Sequence, residues 1–263
     1  MAHPLLATLS PSALAALERA KAMPMSYACQ AYASPEKGGA PARLVLVVGE
    51  AHLKMHEAAV LGRELVSAFE LRGVETFQVS RVVWGRLLGA LINAPRALLR
   101  FVAIGTVEGS TIYEARALRY GKTVELEAAE VMPVPLHVAS VYLSLFFLVS
   151  FAHLAYSIVE GILPSAGEAG ALGVSLLTLL VMAFQAHMLL LVPAWLLRSR
   201  SWAWLVHPAI AIVNVRDVLM AEGTVRMLAA SPGTQPAVVV MGRAHLPGYG
   251  DELTKRGFVR VDI

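Results

Sequence analysis

Charge is scarce in this chain, and cysteine is nearly absent. Only 16% of its 263 residues are Asp, Glu, Lys or Arg, against about 25% in a soluble domain. That deficit, beside a hydrophobic share of 57%, argues for a protein that meets a bilayer. Cys29 is the sole cysteine, which excludes an internal disulfide and suits a functional part in the cytoplasm. A net charge of +3 is too slight to imply nucleic acid. It fits contact with anionic lipid better. Residues 5–23 include Glu18, Arg19 and Lys21 without the tripartite order of a secretory signal, so none is expected.

In place of charge there are two long apolar runs. Residues 138–159 and 171–197 are 22 and 27 residues without Asp, Glu, Lys or Arg. A spanning helix needs about 20, so the expectation is a transmembrane hairpin with the lipid bilayer as partner. The connection, 160–170, holds Glu160 and Glu168 and no basic residue. Arg198 and Arg200 follow the second run, and Arg116, Arg119 and Lys122 precede the first. The positive-inside rule then predicts a multi-pass protein of a bacterial-type inner membrane, with both termini cytoplasmic.

Ser10-Pro11 reads as a helix start, and that helix should end before Pro24. Residues 27–41, rich in Ala, Ser, Gly and Pro, read as a linker. Strands are expected at 44–48, 74–79, 122–127, 237–241 and 258–262, and helices at 55–72, from Thr111, and from about Asn214 to Ala230. Residues 82–101 suit an interfacial helix or an ordinary amphipathic one. Alternation of strands and helices predicts an α/β class, with a mixed, largely parallel sheet split by the hairpin. The expected divisions are an N-terminal helix and linker at 1–40, a first half-domain at 41–136, the hairpin at 137–200, and an interfacial segment with the second half-domain at 201–263.

One short motif occurs twice. Gly49-Glu50-Ala51-His52 follows the run Leu44 to Val48, and Gly242-Arg243-Ala244-His245 follows Ala237 to Met241. A fully apolar run of five reads as an interior parallel strand. The Gly turns the chain off it, so each His should sit at the carboxyl edge, where open α/β sheets bind ligands. The two runs should be neighbours, and the two His should share one site. His56, four residues after His52, is a weaker candidate ligand, since the pattern is not H-E-x-x-H.

Paired GxxH motifs in this order resemble the TraB/Tiki superfamily, which includes pheromone-shutdown proteins and relatives of the erythromycin esterases. The resemblance covers about residues 44–130 and 214–263. It rests on Gly49 to His52, on Gly109 to Glu127 with Glu114, on Arg216 to Ala221, and on Gly242 to Gly248. It implies one pocket for both His motifs, acidic residues and the Arg, and a metal-dependent peptidase activity. Glu75 stands in a segment without a family signature and is left open as a member.

The expected chemistry follows. His52, His245 and Glu50 are the candidate ligands of a divalent metal ion, which makes bound water more acidic. Glu50 or Glu114 would move the proton, although the pattern Thr111 to Glu114 also fits a helix capping box. Arg216 would steady an oxyanion. Its expected place in a helix's first turn works against the dipole and suggests an anionic partner. Asp217 is explained as part of a cap from Asn214. His153, Gln185 and His187, inside the runs, suit hydrogen bonds that fix the hairpin. The substrate would be a peptide or protein. The alternative is a non-catalytic peptide- or signal-binding membrane protein using the same pocket, and a homo-oligomer stays open.

Overall fold

A computed structural model describes residues 3–36, 41–51, 56–79, 111–162, 167–231 and 233–263. His52 and the segment 82–101 lie outside them. In chain order the elements are α1 (Pro11–Lys21), β1 (Tyr27–Ala33), β2 (Leu44–Glu50), α2 (His56–Ser67), β3 (Leu71–Val79), α3 (Thr111–Ala117) and β4 (Lys122–Ala129). Then come α4 (Val134–Ile162), α5 (Gly167–Met188), α6 (Leu191–Leu196), α7 (Ala211–Ala229), β5 (Ala237–Gly242), α8 (Leu246–Lys255) and β6 (Val259–Val261). They fall into two units. Among the described residues, one takes 3–79, 111–130 and 216–263, and the other takes 131–215.

The first unit is a six-stranded sheet in the order β4-β3-β5-β2-β1-β6. Strands β4, β3, β5 and β2 are parallel, and β1 runs against both β2 and β6. The fold is therefore α/β with a mixed, mostly parallel sheet. Every residue of β2 and β5 is buried, which is why both read as unbroken apolar runs. They pair directly, with Gly49 opposite Met241 and Glu50 opposite Gly242. On one side, Leu44, Leu46 and Val48 pack with α1 and α2 through Leu17, Leu61 and Leu65. On the other, Val45, Val47 and Met241 pack with α7 and α8 through Met220, Tyr249 and Leu253.

Two expectations need correction here. Residues 27–33, read as linker, form β1 and pair with β2 along their whole length. Alanine and tyrosine suffice there because β2 supplies the ladder and α1 the cover. The expected helix at 55–72 stops at Ser67, because β3 already begins at Leu71. Helix α1 starts as expected: Ser10 Oγ accepts the Ala13 N–H at 3.2 Å, and Pro11 opens the first turn.

The second unit is helical. Two stretches are long and apolar enough to cross a membrane, Val134–Val159 and Ser175–Leu196, with mean hydropathies of 1.9 and 2.1. Only 11% and 0% of their most apolar windows are covered by protein, unlike the core helices of a soluble domain. Two polar contacts tie α4 to α5: His153 Nε2 to Thr178 Oγ1 at 3.1 Å, and Tyr142 Oη to His187 Nδ1 at 2.7 Å. Residues 201–215, expected with the second half-domain, group with this unit instead. They contain two 3₁₀ turns, Ala203–Leu205 and Pro208–Ile210, and the first turn of α7.

Candidate functional site

Five ionisable side chains meet near the middle of β3 and the carboxyl ends of β4 and β5. Strand β3 carries an irregularity there. Val74 lies opposite Glu125 and Phe77 opposite Glu127, so β3 has one extra residue against β4. Such bulges re-aim side chains beside functional sites. Glu75 follows Val74 at this point, and its Oε2 accepts the Gly242 N–H at 2.5 Å. The end of β5 is thereby tied to β3 as the chain enters the turn Arg243–His245.

Helix α7 supplies the opposing side chains. Arg216 donates from Nε to Glu127 Oε1 at 2.5 Å and from Nη2 to Glu127 Oε2 at 2.9 Å. The same Nη2 donates to Glu75 Oε1 at 2.8 Å. One residue on, Asp217 Oδ1 lies 2.6 Å from His245 Nδ1. His245 Nε2 lies 3.5 Å from Glu75 Oε1. The Glu127 side chain has no exposure, and those of Asp217, His245, Glu75 and Arg216 have 12% or less.

Two glycines make the approach possible. A Cβ on Gly49 would stand 2.5 Å from Leu246 Cδ1 and 3.1 Å from Arg243 Cα. The first motif therefore needs its glycine to lie against the second. A Cβ on Gly248 would collide with Asp217 Oδ2. The glycine three residues after His245 leaves room for the carboxylate that holds that imidazole.

Burial and pairing set the charges. Burial alone would pull His245 down, but its hydrogen bonds to Asp217 and Glu75 reverse this and push it up to about 9. Burial raises Asp217 to about 6 against the opposing pull of His245. Burial also disfavours the Glu75 carboxylate. The hydrogen bond from His245 and the charge of Arg216 outweigh that and hold it well below the usual carboxylate range. Burial keeps Glu127 above its ordinary value although Arg216 pulls it down. At neutral pH the imidazole thus holds a proton between two carboxyl groups.

The expected site residues divide. His245 and Arg216 are in the cluster, and Glu75, left open by the sequence, joins them. His52 lies outside the described residues, so its distance from His245 is not described. Glu50 is elsewhere: its Oε2 accepts the Thr111 N–H at 2.8 Å, at the start of α3. Thr111 Oγ1 lies 3.1 Å from Tyr27 Oη, and Tyr27 belongs to the core packed by α1 and α2. A carboxylate on the first N–H groups of a helix is favourable, so Glu50 has a structural task where it stands. Glu114 lies on the same short helix, with its carboxylate 3.6 Å from Arg63 Nε.

Neither Arg216 nor Asp217 stands at a helix start, contrary to expectation. Helix α7 begins at Ala211, not near Asn214. Arg216 is therefore beyond the first turn, and Asp217 is no cap. Asn214 lies within the helix, and its Nδ2 donates to Arg200 O at 3.3 Å. The true partner of Arg216 is Glu127, 89 residues away. Glu127 was missed because it reads as an alternating residue of a half-exposed strand. Its available signal is a carboxylate two residues after Glu125, on the same face near the end of that strand. Comparisons with family models, with curated proteins and with solved structures found no match to this chain.

Proposed function

We propose that the chain is a hydrolase held at a membrane by its two apolar helices, with His245 at the centre of its chemistry. The observation that carries this reading is the imidazole at the end of the second GxxH motif. It is buried, oriented by Asp217 through Nδ1, and faces Glu75 through Nε2. An imidazole fixed at one nitrogen by a carboxylate is prepared for acid–base work at the other. Peptide bonds are the target that the TraB/Tiki resemblance implies. The membrane is proposed to be a bacterial-type inner membrane, crossed twice, with both termini in the cytoplasm.

A divalent metal ion fits part of this arrangement. Two donors on one tetrahedral ion are about 3.3 Å apart, close to the 3.5 Å between His245 Nε2 and Glu75 Oε1. Metal-bound imidazoles also commonly donate their other N–H to a carboxylate, the part Asp217 plays here. His245 and Glu75 are therefore the proposed ligands, with His52 as the third. Glu75 takes the place expected for Glu50, which is engaged at α3. Bound there, such an ion supplies Lewis-acid polarisation and a more acidic water. Arg216, paired with two carboxylates, is proposed to hold Glu75 in place rather than to meet an oxyanion.

That pairing also favours a second reading. Both oxygens of Glu75 and of Glu127 are bonded within the cluster, as expected of a pocket closed by its own side chains. A peptide- or signal-binding protein needs no more than this. Metal analysis of the purified full-length protein, with peptide hydrolysis measured before and after chelation, separates the readings. Bound metal and activity that fall together in His245→Ala support the hydrolase. A metal-free protein with no hydrolytic activity supports the binding protein.

A further inference from the structure

In the helical unit, one imidazole is enclosed by two other rings. His207 is fully buried. It stacks on His187 with ring centroids 4.8 Å apart and planes 24° apart, and meets Tyr142 edge-on at 5.1 Å. Tyr142 Oη is also 2.7 Å from His187 Nδ1. Nδ1 of His207 accepts the Ala209 N–H at 3.3 Å and so caps the turn Pro208–Ile210. A backbone N–H only donates, so this nitrogen is unprotonated, and the neutral ring carries its proton on Nε2. Among the described residues, Nε2 is buried with no hydrogen-bond partner.

We propose that this stack is an acid-sensitive latch. It holds the turn at 207–210 against Tyr142 and His187 while His207 is neutral, and releases it when His207 takes a proton. The added proton can enter only at Nδ1. There it meets the Ala209 N–H, donor against donor, and the cap is lost. Among the described residues, the resulting cation has no counter-charge. Tyr142 on α4 and His187 on α5 face it, while α6 (Leu191–Leu196) and the turn Ala203–Leu205 carry no ionisable side chain. His187 cannot supply an anion, and two charged imidazoles would repel at this spacing.

The direction of the pH effect follows. Burial and the neighbouring His187 hold His207 below its ordinary value. The closed stack therefore refuses a proton that a released ring accepts near pH 6.5, roughly the free value. Stability of the closed state is full above about pH 6.5 and falls below it, by at most about tenfold per pH unit, until the closed ring itself takes the proton. The turn leads directly into α7, which begins at Ala211 and carries Arg216 and Asp217.

The test uses the full chain in lipid nanodiscs from about pH 8 to about pH 5, spanning the range of an imidazole. Nitrogen NMR of labelled histidine reads the protonation of His207. Hydrogen exchange, corrected for the intrinsic rate, reads the Ala209 and Ile210 amides. The expected result is an unprotonated Nδ1 at the alkaline end, and amide protection that falls as pH drops below about 6.5, by at most about tenfold per unit. His207→Asn offers an acceptor to the turn but cannot titrate, so its protection should not respond to acid. Loss of protection in this variant equal to that of the wild type overturns the latch. If the variant does not fold, the wild type decides alone. A His207 that gains its proton near the free value while the amides stay protected overturns it equally.

Discussion

Asp217 Oδ1 lies 2.6 Å from His245 Nδ1, and both groups are buried. The pair joins a helix that follows the apolar hairpin to a turn near the end of the chain. It engages Nδ1 and leaves Nε2 facing Glu75. Asp217→Asn keeps the size and removes the charge. His245 should then titrate at least about one unit lower, since a charged partner within hydrogen-bond reach is worth that or more. Histidine NMR of the variant checks this. An unchanged titration would mean that Glu75 alone holds the proton.

The alkaline limb of stability should depend on His245. Its value in the folded protein, about 9, lies above the ordinary value of 6.5. Its stabilising contribution is therefore complete below about 6.5 and is lost as pH rises through 9. In His245→Gln the decline between these values should flatten. Chemical denaturation of both proteins across that range measures it, and parallel curves would contradict it.

Arg216→Ala should be among the most destabilising single substitutions in the sheet unit. It leaves Glu127, with no exposure, without a counter-ion, and Glu75, at 9% side-chain exposure, with His245 as its remaining charged partner. Breaking a buried pair from one side costs about 3–5 kcal/mol. The double change Arg216→Met with Glu127→Leu should recover part of that loss, because it leaves fewer buried charges unpaired. A double variant no more stable than Arg216→Ala would show that the pair contributes more than charge compensation.

If a divalent ion binds at His245, uptake must expel the Nε2 proton. Affinity should then fall about tenfold for each pH unit below 9, and one proton should appear in solution per ion bound. Titration calorimetry in buffers of different ionisation enthalpy reads the proton directly. Binding that ignores pH places the ion elsewhere.

The orientation is tested with single cysteines in a Cys29→Ser background. A label in 164–168 should be reachable from outside intact cells, and labels at the termini should not. Labelling of the termini from outside would reverse the proposed topology.

Several features were legible in the sequence for physical reasons. Val45 to Val48 and Val238 to Met241 lie under helices on both faces, so hydrophobicity alone marked them, and the glycines after them marked the ends. Their pairing followed from the repeated motif. Strand β1 was not legible, because a strand beside β2 can be built from Ala, Tyr and Cys, and composition cannot see a neighbour. The cluster was half legible. His245 and Arg216 carried local signals. Glu127 depends on a partner 89 residues away, and Glu75 on a strand irregularity. The start of α7 was misplaced because the turn that feeds it is capped by a histidine ring, a less common cap than Ser, Thr, Asp or Asn.

The position of β5 between β3 and β2 has a consequence for biogenesis. Strands β1 and β2 can pair early, and so can β3 and β4, but the two pairs do not touch until β5 enters between them. That strand is made only after both long apolar helices have left the ribosome. The sheet must wait, with its central edges open, until the chain beyond these helices has been made. Exposed strand edges invite mispairing. Chains stalled or cut before Ala237 should therefore be prone to aggregation and proteolysis, even where both apolar helices are already complete.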